Sequence, residues 1–81
     1  MSGDRTSGAA LLAEADARRD AGDWLAAAEA YAGVIRQRPD AWPLMLQRGL
    51  CLLAAHLPEE ALDSFREAES LSPRDPEIQR Q

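Results

Sequence analysis

Apolar and small residues recur every three or four positions along most of the chain, and glycine or proline interrupts them at short intervals. A 3/4 spacing of apolar positions is the mark of a helix with one buried face. The first such stretch predicts a helix from about Gly8 to Ala21. Ser7 is placed to cap its start, and Gly22 ends it in the left-handed conformation that glycine tolerates. Asp23 is then expected to cap a second helix, about Trp24 to Gln37, whose buried face carries Trp24, Ala27, Ala28, Tyr31, Val34 and Ile35. Pro39 stops it, because the residue before a proline is pushed out of the helical region. A third helix covers about Ala41 to Ala55, with Pro43 tolerated in its first turn. The fourth opens on Pro58, with Glu59 and Glu60 at the positive end of its dipole. Its expected buried stripe is Ala61, Leu62, Phe65, Ala68 and Leu71, and Pro73 stops it. Connections this short imply antiparallel neighbours.

The second pair of helices repeats the first. Shifting the chain by 34 positions sets Ala15 on Gly49, Ala27 on Ala61, Tyr31 on Phe65, Val34 on Ala68 and Pro39 on Pro73. Small falls on small, aromatic on aromatic and proline on proline. Two copies fit, 8–41 and 42–75, leaving 1–7 as a flexible start and 76–81 as a tail or the start of a further helix. The small residues have a packing role. Ala15 and Gly49 lie where the first helix of a pair meets the second, opposite Ala27 and Ala61. Tyr31 and Phe65 fill the space beside that close approach. A single pair cannot bury its apolar face, so the pairs must stack.

Composition supports the same picture. The chain has 81 residues, enough for one small domain. It contains 16 Ala and 11 Leu but only one Val, two Ile and one Thr, which favours helix over sheet. The fold class expected is all-α, a stack of two antiparallel helix pairs. The net charge is −5 and every basic residue is Arg. An acidic domain without a basic stripe argues against nucleic acid or an anionic membrane as partner. No run is long and apolar enough to span a membrane, and the first residues lack the apolar centre of a signal peptide. With one Cys and no internal disulfide, a cytoplasmic location is expected.

The chemistry-bearing residues are sparse. His56, the one His, falls in the turn between the third and fourth helices without partners for a ligand or base role. Cys51 lies mid-helix among leucines, the setting of a packed and inert thiol. The acidic residues of the fourth helix read as a solvated face, since a calcium site needs an irregular oxygen-rich loop. No cofactor, metal or catalytic residue is expected, and the chain is not expected to be an enzyme by itself.

The small–aromatic–small–proline pattern on a 34-residue period resembles the tetratricopeptide repeat. The turn Gly22-Asp23-Trp24 is similar to that family's as well. The departures are Leu11 and Met45 for the family's Trp, Arg18 and Leu52 for its Tyr, and His56 for the turn glycine of the second copy. The resemblance implies a protein-interaction or oligomerisation module that uses the first helix of each repeat to line a concave face. On this chain those positions are Leu12, Asp16 and Arg19, then Leu46, Leu50 and Leu53. Some family members hold a peptide carboxylate with Lys and Asn at such places. Leu12, Asp16 and Leu50 stand there instead, so a carboxylate clamp is not expected. The third helix is apolar around most of its circumference, which demands cover on all sides. That cover is either a further helix of a longer array, a partner, or a second copy giving a homodimer through helix three. A different reading makes the chain the N-terminal part of a larger enzyme. The segment 21–28 is similar to repeats ahead of bacterial glycosyltransferase domains, and Arg-only basicity with heavy Ala use fits a GC-rich bacterial genome.

Overall fold

The computed structural model describes residues 8–72. They form four helices in sequence: α1 (Gly8–Asp20), α2 (Trp24–Gln37), α3 (Trp42–Ala54) and α4 (Pro58–Leu71). The expected cap at Ser7, the stop at Pro73 and the segments 1–7 and 76–81 lie outside the described residues. Each helix packs chiefly on its neighbours in sequence: α1 on α2, α2 on α3 and α3 on α4. The result is two antiparallel helix pairs, stacked all-α without a strand among the described residues.

Backbone chemistry places the boundaries. Gly22 takes φ 80° at the end of α1, and His56 takes φ 66° at the matching place after α3. Both reverse the chain within a connection of three residues. Arg38 and Ser72 leave the helical region at the ends of α2 and α4 (φ −134°, ψ 80° and φ −69°, ψ 141°), each directly before a proline in the sequence. The helix starts differ from expectation. Asp23 occupies the first cap position of α2, but its side chain makes no cap hydrogen bond. Its carboxylate turns to Arg18 of α1, 3.3 Å away, and only its carbonyl accepts from Ala27. Pro43 and Pro58 supply the starts of α3 and α4, where a missing N–H costs nothing.

The centre of the stack is built from small side chains. Ala15, Ala27, Ala28, Tyr31, Cys51, Leu52 and Ala61 form one buried cluster, with Leu12, Leu44, Leu57 and Phe65 packed against it. Gly49 is buried because the Phe65 ring lies on it; a Cβ there would meet Phe65 Cε1 at 2.5 Å. Ser64, which stands where α2 has Ala30, donates from Oγ to the Met45 carbonyl at 2.7 Å. That bond satisfies a buried hydroxyl and ties α4 to the first turn of α3.

Two expectations are corrected by this packing. Ala61, Ser64 and Ala68 form the buried side of α4, whereas Leu62 and Leu71 are exposed and Phe65 is only half-buried. The reason is that α4 packs principally on α3, so one flank of it meets nothing among the described residues. Trp24, expected on the buried face of α2, is also exposed. On α3, Met45, Gly49, Cys51 and Leu52 are buried, and the opposite side is open among the described residues.

Candidate functional site

The open side of α3 carries Leu46, Leu50 and Leu53, which are 37%, 52% and 47% exposed. Spacings of four and three residues put the three side chains on one stripe. Exposed leucines singly are ordinary on a protein surface; a contiguous stripe on one helix face is not.

The corresponding positions of α1 behave differently. Leu12 is withdrawn against the core cluster. Asp16 and Arg19 are joined into a polar network with two residues from other helices. Tyr31 of α2 donates its hydroxyl to Asp16 Oδ1. Arg19 Nη1 donates to the Tyr31 hydroxyl at 3.1 Å and to Gln47 Oε1 of α3 at 2.9 Å, and lies 3.6 Å from Asp16 Oδ1. Its Nε and Nη2 reach Asp20 Oδ1 at 3.3 and 3.2 Å. The guanidinium therefore bridges α1 and α3, placing the two helices on one shared face. Burial first, and then the Asp16 acceptor, push the Tyr31 hydroxyl well above its ordinary range, so it stays a neutral donor. The Tyr31 oxygen, with Asp20 and Asp16 behind it, raises the Arg19 pKa further.

This arrangement has a chemical consequence. Arg19 is a cation on that face, and its donors are engaged by Asp20, Tyr31 and Gln47, with Asp16 at ion-pair distance. It has little left to offer a carboxylate ligand. The face is polar and internally paired over α1 and apolar over α3. Gln47 and the Tyr31 hydroxyl were not singled out by sequence. Gln47 falls next to Leu46 in the helical pattern, but its partner lies 28 residues earlier, and no local spacing signals that pair.

Elsewhere the chemistry is quiet. Cys51 is a buried free thiol, and burial raises its pKa, opposing the reactive thiolate. His56 is exposed in its turn. Among the described residues no group of three or more His, Cys, Asp and Glu side chains is arranged to hold a metal ion. No described helix is long and apolar enough to cross a membrane.

A second opening lies at the end of the stack. Trp42, Leu46, Phe65, Ala68, Glu69 and Ser72 line a shallow groove of about 230 Å³ between α3 and α4. It continues from Leu46, so the leucine stripe and this groove meet at the start of α3.

Neither the curated proteins nor the solved structures gave a significant match to this chain. The family model of the tetratricopeptide repeat matches residues 12–76, which span all four helices except the first turn of α1. That match gives no support to a glycosyltransferase link. Its extent agrees with the paired helices, the small residues at their crossings and the aromatic beside each crossing: the chain belongs to the tetratricopeptide repeat family.

Proposed function

We propose that the chain is a non-catalytic protein-interaction module that receives a protein or peptide on the face shared by α1 and α3. The observation that carries the reading is the stripe of Leu46, Leu50 and Leu53, exposed on a folded helix whose opposite side is sealed in the core. Proteins of this family typically bind other proteins or peptides, which is consistent with that use. Leu46, Leu50 and Leu53 supply the apolar contact, and desolvating them is the driving force. Asp16 and Arg19, held by Tyr31 and Gln47, act as a rigid polar rim. Leu12 supports the rim from below. Such a face prefers an apolar or amphipathic segment to a free C-terminal carboxylate, because Arg19 is neutralised by its own chain. The homodimer expected through helix three is a special case, in which a second copy supplies the segment.

The test is selection of binders from a displayed random-peptide library on the immobilised chain, followed by amide chemical-shift mapping. Binders should shift the amides around Leu46, Leu50 and Leu53 and lose affinity for the Leu50→Glu, Leu53→Glu double variant. Binders that map to the far side of α2, or that ignore the double variant, would sink the reading.

A further inference from the structure

The two ends of the stack are chemically unlike, and the internal repeat shows what each end is built to meet. In the first pair, the flank of α2 that faces onward is covered by α3. Ala28 and Tyr31, on that flank, are 3% and 0% exposed. The matching residues of the second pair are Leu62 and Phe65; Leu62 is 47% exposed and Phe65 half-buried. The second pair thus presents, with Trp42 and Leu46, the same kind of flank that the first pair buries. It is larger at Leu62, where α2 has Ala28, and charged at Arg66 and Glu69, where α2 has Ala32 and Ile35.

The opposite end does not complement it. Against the first pair, α3 uses Leu44, Cys51 and Leu52. The residues of α1 at those positions are Ala10, Ala17 and Arg18, and Arg18 is held in ion pairs to Glu14 and Asp23 at 3.4 and 3.3 Å. Head-to-tail stacking of copies would press this charged, alanine-lined side of α1 on Leu62 and Phe65.

Charge on the open flank points to a different pairing. Residues 62, 65, 66 and 69 share one stripe by their 3/4 spacing; Glu69 lines the groove beside Phe65, and exposed Arg66 follows Phe65 on the same stripe. Neither side chain has an ion-pair partner among the described residues. Antiparallel α4 helices related by a two-fold axis near Ala68 set Arg66 of one copy against Glu69 of the other, and Glu69 against Arg66. The flank is therefore self-complementary in sign, as a two-fold interface requires. The Phe65 rings of the two copies then lie close to the axis, with Leu62, Trp42 and Leu46 farther out.

We infer that a second copy of this chain occupies the open flank of α4 and the start of α3, in a two-fold dimer closed by reciprocal Arg66–Glu69 pairs. The inference rests on the reading of the chain as an interaction module and assigns the partner of its end flank. The leucines Leu50 and Leu53 remain free for a different ligand in that dimer.

Sedimentation of the full chain tests it. The unmutated chain is expected to be dimeric at about 100 µM, as suits a small, weak interface. Arg66→Glu alone and Glu69→Arg alone each oppose like charges twice across the axis. Each should weaken the dimer by about tenfold or more. An equimolar mixture of the two variants places every Glu opposite an Arg and should recover a heterodimer. Both sites are exposed, and circular dichroism of each variant checks that the helices persist. A monomeric unmutated chain, a dimer indifferent to both reversals, or a mixture that stays monomeric overturns the proposal. Dissociation by Leu50→Glu with Leu53→Glu, but not by the charge reversals, also overturns it and leaves the α3 face standing as the contact. Failure of the dimer leaves peptide binding to that face untouched, since the shift-mapping experiment reads it separately.

Discussion

Two kinds of backbone position carry more of this structure than their size suggests. Gly49 lies under the Phe65 ring so closely that an added Cβ would meet three ring carbons at 2.5–2.8 Å. Gly49→Ala must therefore push the ring outward, and overpacking of this kind costs about 1–3 kcal/mol. The expected result is a lower denaturant midpoint, with a smaller loss when Phe65→Leu is already present. Equal losses in both backgrounds would show that the ring is not the obstacle. The second position is the turn residue after α1 and α3. Gly22 and His56 both hold the left-handed conformation, φ 80° and 66°. For a residue with a Cβ that conformation costs about 1–2 kcal/mol. His56→Gly should thus raise stability by roughly 0.5–1 kcal/mol after the added chain entropy of glycine is subtracted. Gly22→Ala should lower it. Thermal melts of the two variants should move in opposite directions, and a fall in both would refute the strain argument.

At the scale of elements, Tyr31 joins three helices: it belongs to α2, donates to Asp16 of α1, and shares Arg19 with Gln47 of α3. Its hydroxyl pKa is raised by burial and by Asp16. A raised pKa in the fold means that the unfolded chain loses the phenolic proton first. The stabilisation is complete below the ordinary tyrosine pKa of about 10 and is lost progressively above it. Stability should therefore decline as pH rises past about 10, and part of that decline should vanish in Tyr31→Phe. Cys51 is retained in both proteins, because its buried thiol resists ionisation in the same direction. Denaturant titrations from neutral to alkaline pH measure the difference; parallel curves would remove Tyr31 from the account. This network also marks where sequence reading stops. Helix order, turn positions and the small residues at the crossings are legible because proline, glycine and 3/4 spacing act within a few residues. The exposure of Leu62 and Leu71 is not, since a stripe looks the same whether or not a neighbour covers it. Nor is the fate of Asp23, whose carboxylate has a choice between its own helix and Arg18. The repeat positions put Asp16 and Arg19 one turn apart on α1, but their partners depend on how α1, α2 and α3 stack. No pattern within one helix encodes that.

Over the whole molecule, the sequence of contacts runs in one dimension: α1 on α2, α2 on α3, α3 on α4. In such a stack each helix draws stability from its own propensity and from the neighbours it touches. The inner helices α2 and α3 pack extensively on two neighbours each and the outer helices on one, with α1 also reaching α3 through the Arg19–Gln47 bond. They also own most of the buried side chains: Ala27, Ala28, Tyr31 and Val34 on α2, and Met45, Gly49, Cys51 and Leu52 on α3, against Ala15 alone on α1. The fourth helix lies between, with Ala61, Ser64 and Ala68 and the Ser64 bond to Met45. Opening should therefore begin at α1, proceed through α4 and reach α2 and α3 last. Native-state hydrogen exchange reads this order directly, because locally opened amides exchange with less free energy than the global unfolding. The amides in the second half of α2 and the middle of α3 should be the most protected, and those of α1 the least. Uniform protection across the four helices would mean a single cooperative unit, and the nearest-neighbour picture would fail. Concentration dependence adds a check from the same experiment. If two copies meet across the α4 flank, raising the protein concentration should slow exchange in α4 and leave α1 unchanged, since only one end of the stack is covered by the pairing.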